Sequence, residues 1–218
     1  MKELVIFDID GTIVKGQSQR MFLQYLFSIG KISILPYTRL FLWFVFYRLG
    51  LVVDPKPAME YAFRFLKGKS TKEIGEIVHN FFVERLILNV YSDAIEVIKH
   101  HQNLGRQVVL VSNAAEPIVR EIAVYLKVTF YISTTLTVVD GYYTGGIEKI
   151  VYGEKKAEMV KQFLQTHDFD SRTFWAYGDH VSDEDLLKLA RYPIAVNPSH
   201  SLALKARDNH WQILKFLK

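Results

Sequence analysis

The chain has 218 residues, no cysteine, and 27 Lys and Arg against 23 Asp and Glu, for a formal net charge of +4 and a pI near 9.1. Half of the residues are hydrophobic and 23% are charged, which excludes wholesale disorder and leaves apolar side chain enough for a sizeable core. Without cysteine there is no disulfide framework, thiol nucleophile or thiolate metal site. Net charge speaks to partners rather than to fold, and here it is unevenly placed. Residues 14–90 hold eleven basic and five acidic residues, a balance of +6, which leaves −2 for the remainder.

From Met1 the chain runs straight into Leu4-Val5-Ile6-Phe7 and then meets Asp8 and Asp10. It shows no apolar region of signal-peptide length, and a cytoplasmic protein is expected. The runs 4–7, 108–111, 174–177 and 194–196 read as buried parallel strands, with a weaker fifth at 129–132. Helical patterns at 94–104, 117–126, 156–164 and 183–189 alternate with them, and 135–147 reads as a hairpin turning at Asp140-Gly141. The fold class predicted is α/β: a Rossmann-like, doubly wound, mostly parallel sheet built from residues 1–13 and 91–218. Residues 14–90 are predicted to form an inserted all-helical cap. In it, Pro55 and Pro57 punctuate a connection, and Ser70-Thr71-Lys72-Glu73 predicts a capping box opening a helix to about Arg85.

The apolar stretch 32–53 is interrupted by Arg39 and Arg48, and its longest clean run, 40–47, falls well short of the roughly 20 residues a membrane span needs. It can lie in a membrane surface, with Phe41, Trp43, Phe44 and Phe46 inserted and Lys31, Arg39 and Arg48 near headgroups. Alternatively these aromatics are the core of the insert. The nine-residue spacing puts Arg39 and Arg48 on opposite helix faces, which favours the core reading.

In an open α/β sheet, ligands bind at the carboxyl ends of the strands, so the residues just after each apolar run carry the information. These are Asp8, Asp10, Gly11 and Thr12 after the first run, Ser112 and Asn113 after the second, and Gly178, Asp179 and Asp183 after another. Each alone reads as a turn former or helix cap. A basic candidate opens the helix near Lys155 and Lys156. Lys156 shares a stripe with Met159, Val160, Phe163 and Leu164 and points toward the sheet, whereas Lys155 is offset toward solvent.

In this order the set resembles the haloacid dehalogenase superfamily of phosphohydrolases, whose signature is Asp-x-Asp-Gly-Thr, then Ser or Thr, then Lys, then Gly-Asp-x-x-x-Asp. The position of the insert and the segment Asp140-Gly141-Tyr142-Tyr143-Thr144-Gly145 are similar to subfamily IB, the phosphoserine phosphatase-like branch with a C1-type helical cap. The resemblance implies a phosphomonoester phosphatase in which Asp8 attacks phosphorus and forms an aspartyl-phosphate. Asp10 would protonate the leaving oxygen and then deprotonate the hydrolytic water. Thr12, Ser112, Asn113 and Lys156 would bind the phosphate. Clustered carboxylates beside a phosphoryl group repel by about 4 kcal/mol per pair at 4 Å and an effective dielectric near 20, so a cation is required. Hard oxygen donors point to Mg²⁺, which the resemblance places on Asp8, the Asp10 carbonyl and Asp179. Asp183 reads as an outer support of the metal or as a helix-terminal carboxylate favoured by the dipole. His180 reads as an ordinary loop residue.

Phosphoserine-specific members of the branch carry a Glu nine residues after the nucleophile to meet the substrate amine, and this chain has Gln17 there. With a cap of +6, the expected substrate is a small anionic phosphorylated metabolite. The alternatives are a phosphatidylglycerophosphate-type lipid phosphatase with a membrane-associating cap, peripheral at the inner face of the membrane, or a phosphoserine phosphatase. Metal-free dehalogenase chemistry leaves Asp10 and Asp179 unexplained, and a non-catalytic basic anion- or membrane-binding module leaves the whole carboxylate set unexplained. The basic residues of the insert are dispersed rather than striped, so no nucleic-acid partner is expected. The oligomeric state is not legible.

Overall fold

The structure is a computed structural model and describes residues 3–48, 56–167, 169 and 173–217. Pro55, residues 49–53 of the apolar stretch, and the side chains of Phe44 and Arg48 lie outside what is described.

Strand β1 (Leu4–Asp8) is buried along its whole length and occupies the centre of a seven-stranded sheet. It pairs in parallel with β2 (Gln107–Ala115) on one side and β5 (Phe174–Gly178) on the other. Strands β3 (Phe130–Val139) and β4 (Tyr142–Lys149) extend the β2 side, and β6 (Tyr192–Val196) and β7 (Gln212–Leu214) the β5 side, giving the order β4-β3-β2-β1-β5-β6-β7. Only the β3–β4 pair is antiparallel. It is a hairpin whose turn holds Asp140 at φ +50° and Gly141 at φ +81°, the left-handed pair that a two-residue turn demands and that Asp-Gly supplies.

Alternation along the strands sends side chains into two cores. Val5, Phe7, Val108 and Leu110 meet Ala94 and Ile98 of α5 (Ser92–Asn103) and Ile118, Val119 and Ile122 of α6 (Glu116–Tyr125). Leu4, Ile6, Val109 and Val111 meet Val160 and Leu164 of α7 (Glu154–Thr166), Leu186 and Leu187 of α8 (Glu184–Leu189), and Leu202 and Ala206 of α9 (His200–Asp208). A parallel sheet covered on both faces is what continuous apolar runs predict. The chain winds outward from β1 through β2 and β3, then returns to β5 beside β1. The switch point, where α/β sheets hold ligands, therefore lies at the carboxyl ends of β1 and β5.

Between β1 and β2 the chain forms α1 (Ser18–Ser28), α2 (Ile34–Arg48), α3 (Lys56–Phe63) and α4 (Thr71–Phe81). The two connections to the sheet run side by side: the Lys15 N–H donates to the Asn89 carbonyl at 2.7 Å, and the Tyr91 N–H to the Ile13 carbonyl at 2.9 Å. Ser70 caps α4 by accepting from the Glu73 N–H at 3.0 Å, but the return half of the expected box is missing. The Glu73 carboxylate turns instead to Lys69 Nζ at 3.0 Å. The β3–β4 hairpin straps this segment to the sheet, with the Thr71 N–H donating to the Gly141 carbonyl at 2.9 Å and the Gly68 N–H to the Tyr143 carbonyl at 2.8 Å. Among the described residues no helix is long and apolar enough to cross a membrane.

Candidate active site

Three strands deliver the candidate residues to one place. Asp8 is the last residue of β1, Ser112 and Asn113 lie near the end of β2, and Asp179 directly follows β5. The parallel register sets Asp8 opposite Val111, one residue before Ser112, and Phe7 opposite Tyr177, two before Asp179. All of these, with Asp10, Lys156 and Asp183, line one cavity of about 510 Å³ roofed by residues of the helical insert. A wider cleft of about 920 Å³ between α4, α6 and the hairpin carries Lys72, Arg120, Glu76, Glu116 and Glu148, none of them buried, and gathers no comparable cluster.

The turn after β1 is tight, with the Gly11 N–H donating to the Val14 carbonyl at 2.7 Å. Gly11 sits at φ +93°, and a Cβ there would lie 2.0 Å from Asp179 Oδ2. Glycine is therefore needed twice over, for the left-handed backbone and for the close approach of a carboxylate. Gly178 plays the second part for Asp183, whose Cβ would stand 2.8 Å from an added methyl.

Of the two lysines, Lys155 is exposed and Lys156 is buried. Lys156 Nζ donates to Asp8 Oδ1 at 2.5 Å and to Asp183 Oδ1 at 2.6 Å. Asp183 closes the loop by accepting the His180 N–H on Oδ2 at 3.3 Å. Asp10 Oδ1 accepts the N–H of Ser18 at 2.8 Å, so this carboxylate satisfies an orphan donor at the start of α1 and ties the insert to the site. Ser112 Oγ accepts the Ala114 N–H at 3.0 Å. Asn113 offers its carbonyl to Gln19 Nε2 at 3.1 Å, a second tie to the insert. Thr12 is fully buried, its hydroxyl without a partner, and it is not among the cavity-lining residues.

The electrostatics follow from placing four carboxylates around one lysine. Burial pushes Asp8 up to about 7, Lys156 pulling against it and Asp183 adding to it. Burial, then the charges of Asp8 and Asp183, hold Asp179 well above the ordinary carboxylate range. Asp10 is raised by burial against the Ser18 hydrogen bond. Burial draws Lys156 down, but Asp183 and Asp8 outweigh it and the ammonium is held more firmly than usual. The site is short of positive charge. One ligand oxygen each from Asp8, Asp179 and Asp183 lies within 4.8 Å of the others. Three hard oxygens at that spacing, with charge to spare, suit a small divalent cation, whose opposite ligands stand roughly 4 Å apart.

Several cavity residues were not singled out from the sequence. Gln19, Arg20, Leu40, Trp43, Met59 and Ala62 from the insert line it, as do Tyr91, Tyr152 and Asn197. Apart from Asn197, which directly follows β6, they follow no strand end, so the rule that finds Asp8 and Asp179 passes over them. His180 also faces the cavity, rather than standing apart as a plain loop residue, and its ring Nδ1 accepts the Ser182 N–H at 3.3 Å.

The family model for haloacid dehalogenase-like hydrolases matches residues 5–188. A histidinol-phosphatase of Neisseria meningitidis is 28% identical over 223 residues, covering 99% of this chain and all of that one. A Bordetella pertussis protein of unknown function has a structure similar at a TM-score of 0.89 and 25% identity, over 98% of each chain. The fold of phosphoserine phosphatase, seen in a phospho-aspartyl intermediate analogue, superposes with a TM-score of 0.71 at 21% identity, covering 98% of this chain and 93% of that one. The order of the site residues, the sheet that gathers them and the family match agree: the chain belongs to the haloacid dehalogenase-like hydrolase family, and its fold is that of phosphoserine phosphatase.

Proposed function

We propose that this protein hydrolyses the phosphate monoester of a small anionic metabolite through an aspartyl-phosphate on Asp8, with residues 14–90 acting as the cap over the site. The observation that carries the reading is the buried ring of Asp8, Lys156 and Asp183 beside Asp179, at the switch point of the sheet. Asp8, Asp179 and the Asp10 carbonyl would hold Mg²⁺, in keeping with the clustered carboxylate oxygens of Asp8 and Asp179, and when bound it would neutralise charge on the phosphoryl oxygens. Lys156 and Asp183 hold the Asp8 carboxylate in place, which leaves Asp8 Oδ2 clear of the lysine. That oxygen bonds to phosphorus as the ester P–O bond breaks, and Asp10 gives its proton to the departing alkoxide. The raised proton affinity of Asp10 equips it to start that step protonated. Water then attacks phosphorus, its proton returns to Asp10, and inorganic phosphate leaves Asp8 free. Ser112 and the backbone amide of Asn113 serve as donors to the phosphoryl oxygens.

The roof supports the substrate class proposed. Gln17, Gln19, Arg20, Leu40, Trp43, Met59 and Ala62 form its lining from the insert, and none is acidic. Among the described residues of the roof, an ammonium group, as on phosphoserine or histidinol phosphate, finds no carboxylate. A second anionic group finds Arg20, which makes no ion pair among the described residues and whose guanidinium lies 5.7 Å from the Phe41 ring centroid. The test is release of p-nitrophenol from p-nitrophenyl phosphate with and without EDTA, for the native chain and Asp8→Asn. Turnover that survives either change refutes the mechanism. A panel of phosphoserine, histidinol phosphate, anionic sugar phosphates and detergent-dispersed phosphatidylglycerophosphate then decides the class, and preference for an amine-bearing ester refutes the assignment.

A further inference from the structure

Helix α2 is apolar over most of its circumference, broken by Thr38, Arg39 and Arg48, a composition closer to that of covered helices than of surface ones. Here one side is not covered. Its inner face sends Leu40 into the insert core and both Leu40 and Trp43 to the cavity wall, while Tyr37 stacks on Phe27 with ring centroids 4.4 Å apart. Its outer face presents Leu35, Leu42 and Phe46, at i, i+7 and i+11, with relative exposures of 77%, 53% and 47%. Ile34 and Val45 flank this stripe, and Ile29, at the end of α1, is exposed too. Scattered exposed apolar residues need no explanation, but a row of them on one helix face marks an interaction surface.

The surrounding charge identifies the occupant. Between Asp10 and Asp54 the chain contains no acidic residue and five basic ones, Lys15, Arg20, Lys31, Arg39 and Arg48. Arg39 is exposed one helical turn beyond Leu35, its guanidinium 4.5 Å from the Tyr61 ring centroid, and Lys31 is exposed just before the helix. A second copy of the chain docked symmetrically on this face would bring Arg39 and Lys31 against like charges, with no acid in the stretch to pair them. An anionic bilayer satisfies both halves of the surface, acyl chains taking the leucines and headgroups the cations. We propose that the outer face of α2 docks this protein on anionic membrane surfaces, leaving the inner face as the wall of the catalytic cavity. The inserted set is then Leu35, Leu42, Val45 and Phe46 rather than the aromatic run, because Phe41 and Trp43 are turned inward.

Co-sedimentation of the full chain with sucrose-loaded vesicles tests this, and it is read without reference to catalysis. The chain is expected to pellet with phosphatidylcholine vesicles that contain phosphatidylglycerol, not with phosphatidylcholine alone, and to be released by added salt. Leu35→Ser/Leu42→Ser should lower the partition coefficient by about tenfold or more, and Lys31→Gln by about fivefold at low salt. Both substitutions are at exposed positions, and unchanged circular dichroism and thermal unfolding show that the variants fold. Absence of binding to phosphatidylglycerol vesicles overturns the proposal, as does binding indifferent to Leu35→Ser/Leu42→Ser. So does a dimer, seen by light scattering, that the same double substitution dissociates.

Discussion

Replacing Lys156 by Met keeps most of the side chain's apolar length and removes only the charge that stands 2.5 Å from Asp8 and 2.6 Å from Asp183. All three residues are at most 6% exposed, so water cannot take the ammonium's place. Breaking a buried pair by deleting one partner costs about 3–5 kcal/mol, because the remaining charge stays desolvated. For a chain of this size that is a fall of roughly 6–20 °C in melting temperature. The site has one escape, which is to take up a proton. Protonating a carboxyl at pH 7.5 costs about 1.4 kcal/mol for each unit above its unfolded pKa near 4, or roughly 5 kcal/mol, so the penalty is bounded near that figure. The sign follows. With the cation gone, the folded variant takes up one more proton relative to its own unfolded state than the native chain does, so the stability gap narrows by about 1.4 kcal/mol per pH unit on acidification and nearly closes by about pH 5. Urea unfolding in EDTA from about pH 5 to 8, native against Lys156→Met, measures this. A gap under about 1 kcal/mol at pH 7.5, or one that does not change with pH, refutes the buried pair.

In Asp10→Asn, hydrolysis of alkyl phosphates should slow by about 10²–10⁴-fold. p-Nitrophenolate leaves without a proton, so the first step survives and intact-mass spectrometry should find the chain heavier by one phosphoryl group; equal slowing of alkyl and aryl esters with no such species counts against the assigned role. Gly11→Ala places a methyl group 2.0 Å from Asp179 Oδ2 at a left-handed residue, so Asp179 must move. The Mg²⁺ concentration for half-maximal activity should rise about tenfold or more, with about 1–3 kcal/mol of stability lost, and an unchanged metal titration contradicts the placement of Asp179. His101 makes a separate, structural prediction. Arg106 Nη1 donates to its Nδ1 at 3.1 Å, which leaves Nε2 to donate to Tyr177 Oη at 2.8 Å, and burial followed by the Arg106 charge lowers the imidazole to about 4. Between about pH 6.5 and 4 the unfolded chain takes up a proton that the fold refuses, so stability falls with pH by up to roughly 3 kcal/mol. His101→Gln should flatten that part of the pH profile, and an unaltered slope would exclude a buried neutral imidazole.

The residues at strand ends were legible because two simple rules coincide there. A buried parallel strand writes itself as an unbroken apolar run, and polar residues just beyond it must lie at the ligand-binding edge. Asp8, Ser112 and Asp179 needed nothing more, and the 3.6-residue period turned Lys156, not Lys155, toward the sheet. What the sequence hid depends on competition between partners. Glu73 had two calls on it, the Ser70 backbone and Lys69 four residues back, and the ion pair prevailed. Strand β7, three residues at the sheet edge with two side chains exposed, has too little apolar character to register. The strap from the hairpin to residues 68–71 is made of backbone hydrogen bonds, which no side-chain pattern encodes. Helix α2 has no polar face to orient it, so periodicity could not tell its core side from its outer side.

Charge gives the parts of the molecule a common logic. A net charge of +4 conceals a stretch of chain without acids that roofs a floor holding four carboxylates and one lysine. Burial and mutual repulsion raise the proton affinity of Asp8 and Asp179 on the floor, while the described lining from the roof carries Arg20 and no acid. Opposed across the cavity, they would suit the ligand proposed above, with negative charge at both ends and a divalent cation at its phosphate. Anions approaching within a Debye length of about 8–10 Å would meet Arg20 of the roof, and a floor neutralised by a bound cation would no longer repel them. Outside the cavity, Arg39 and Lys31 stand beside leucines that are exposed among the described residues, and the membrane surface proposed above would give both a partner.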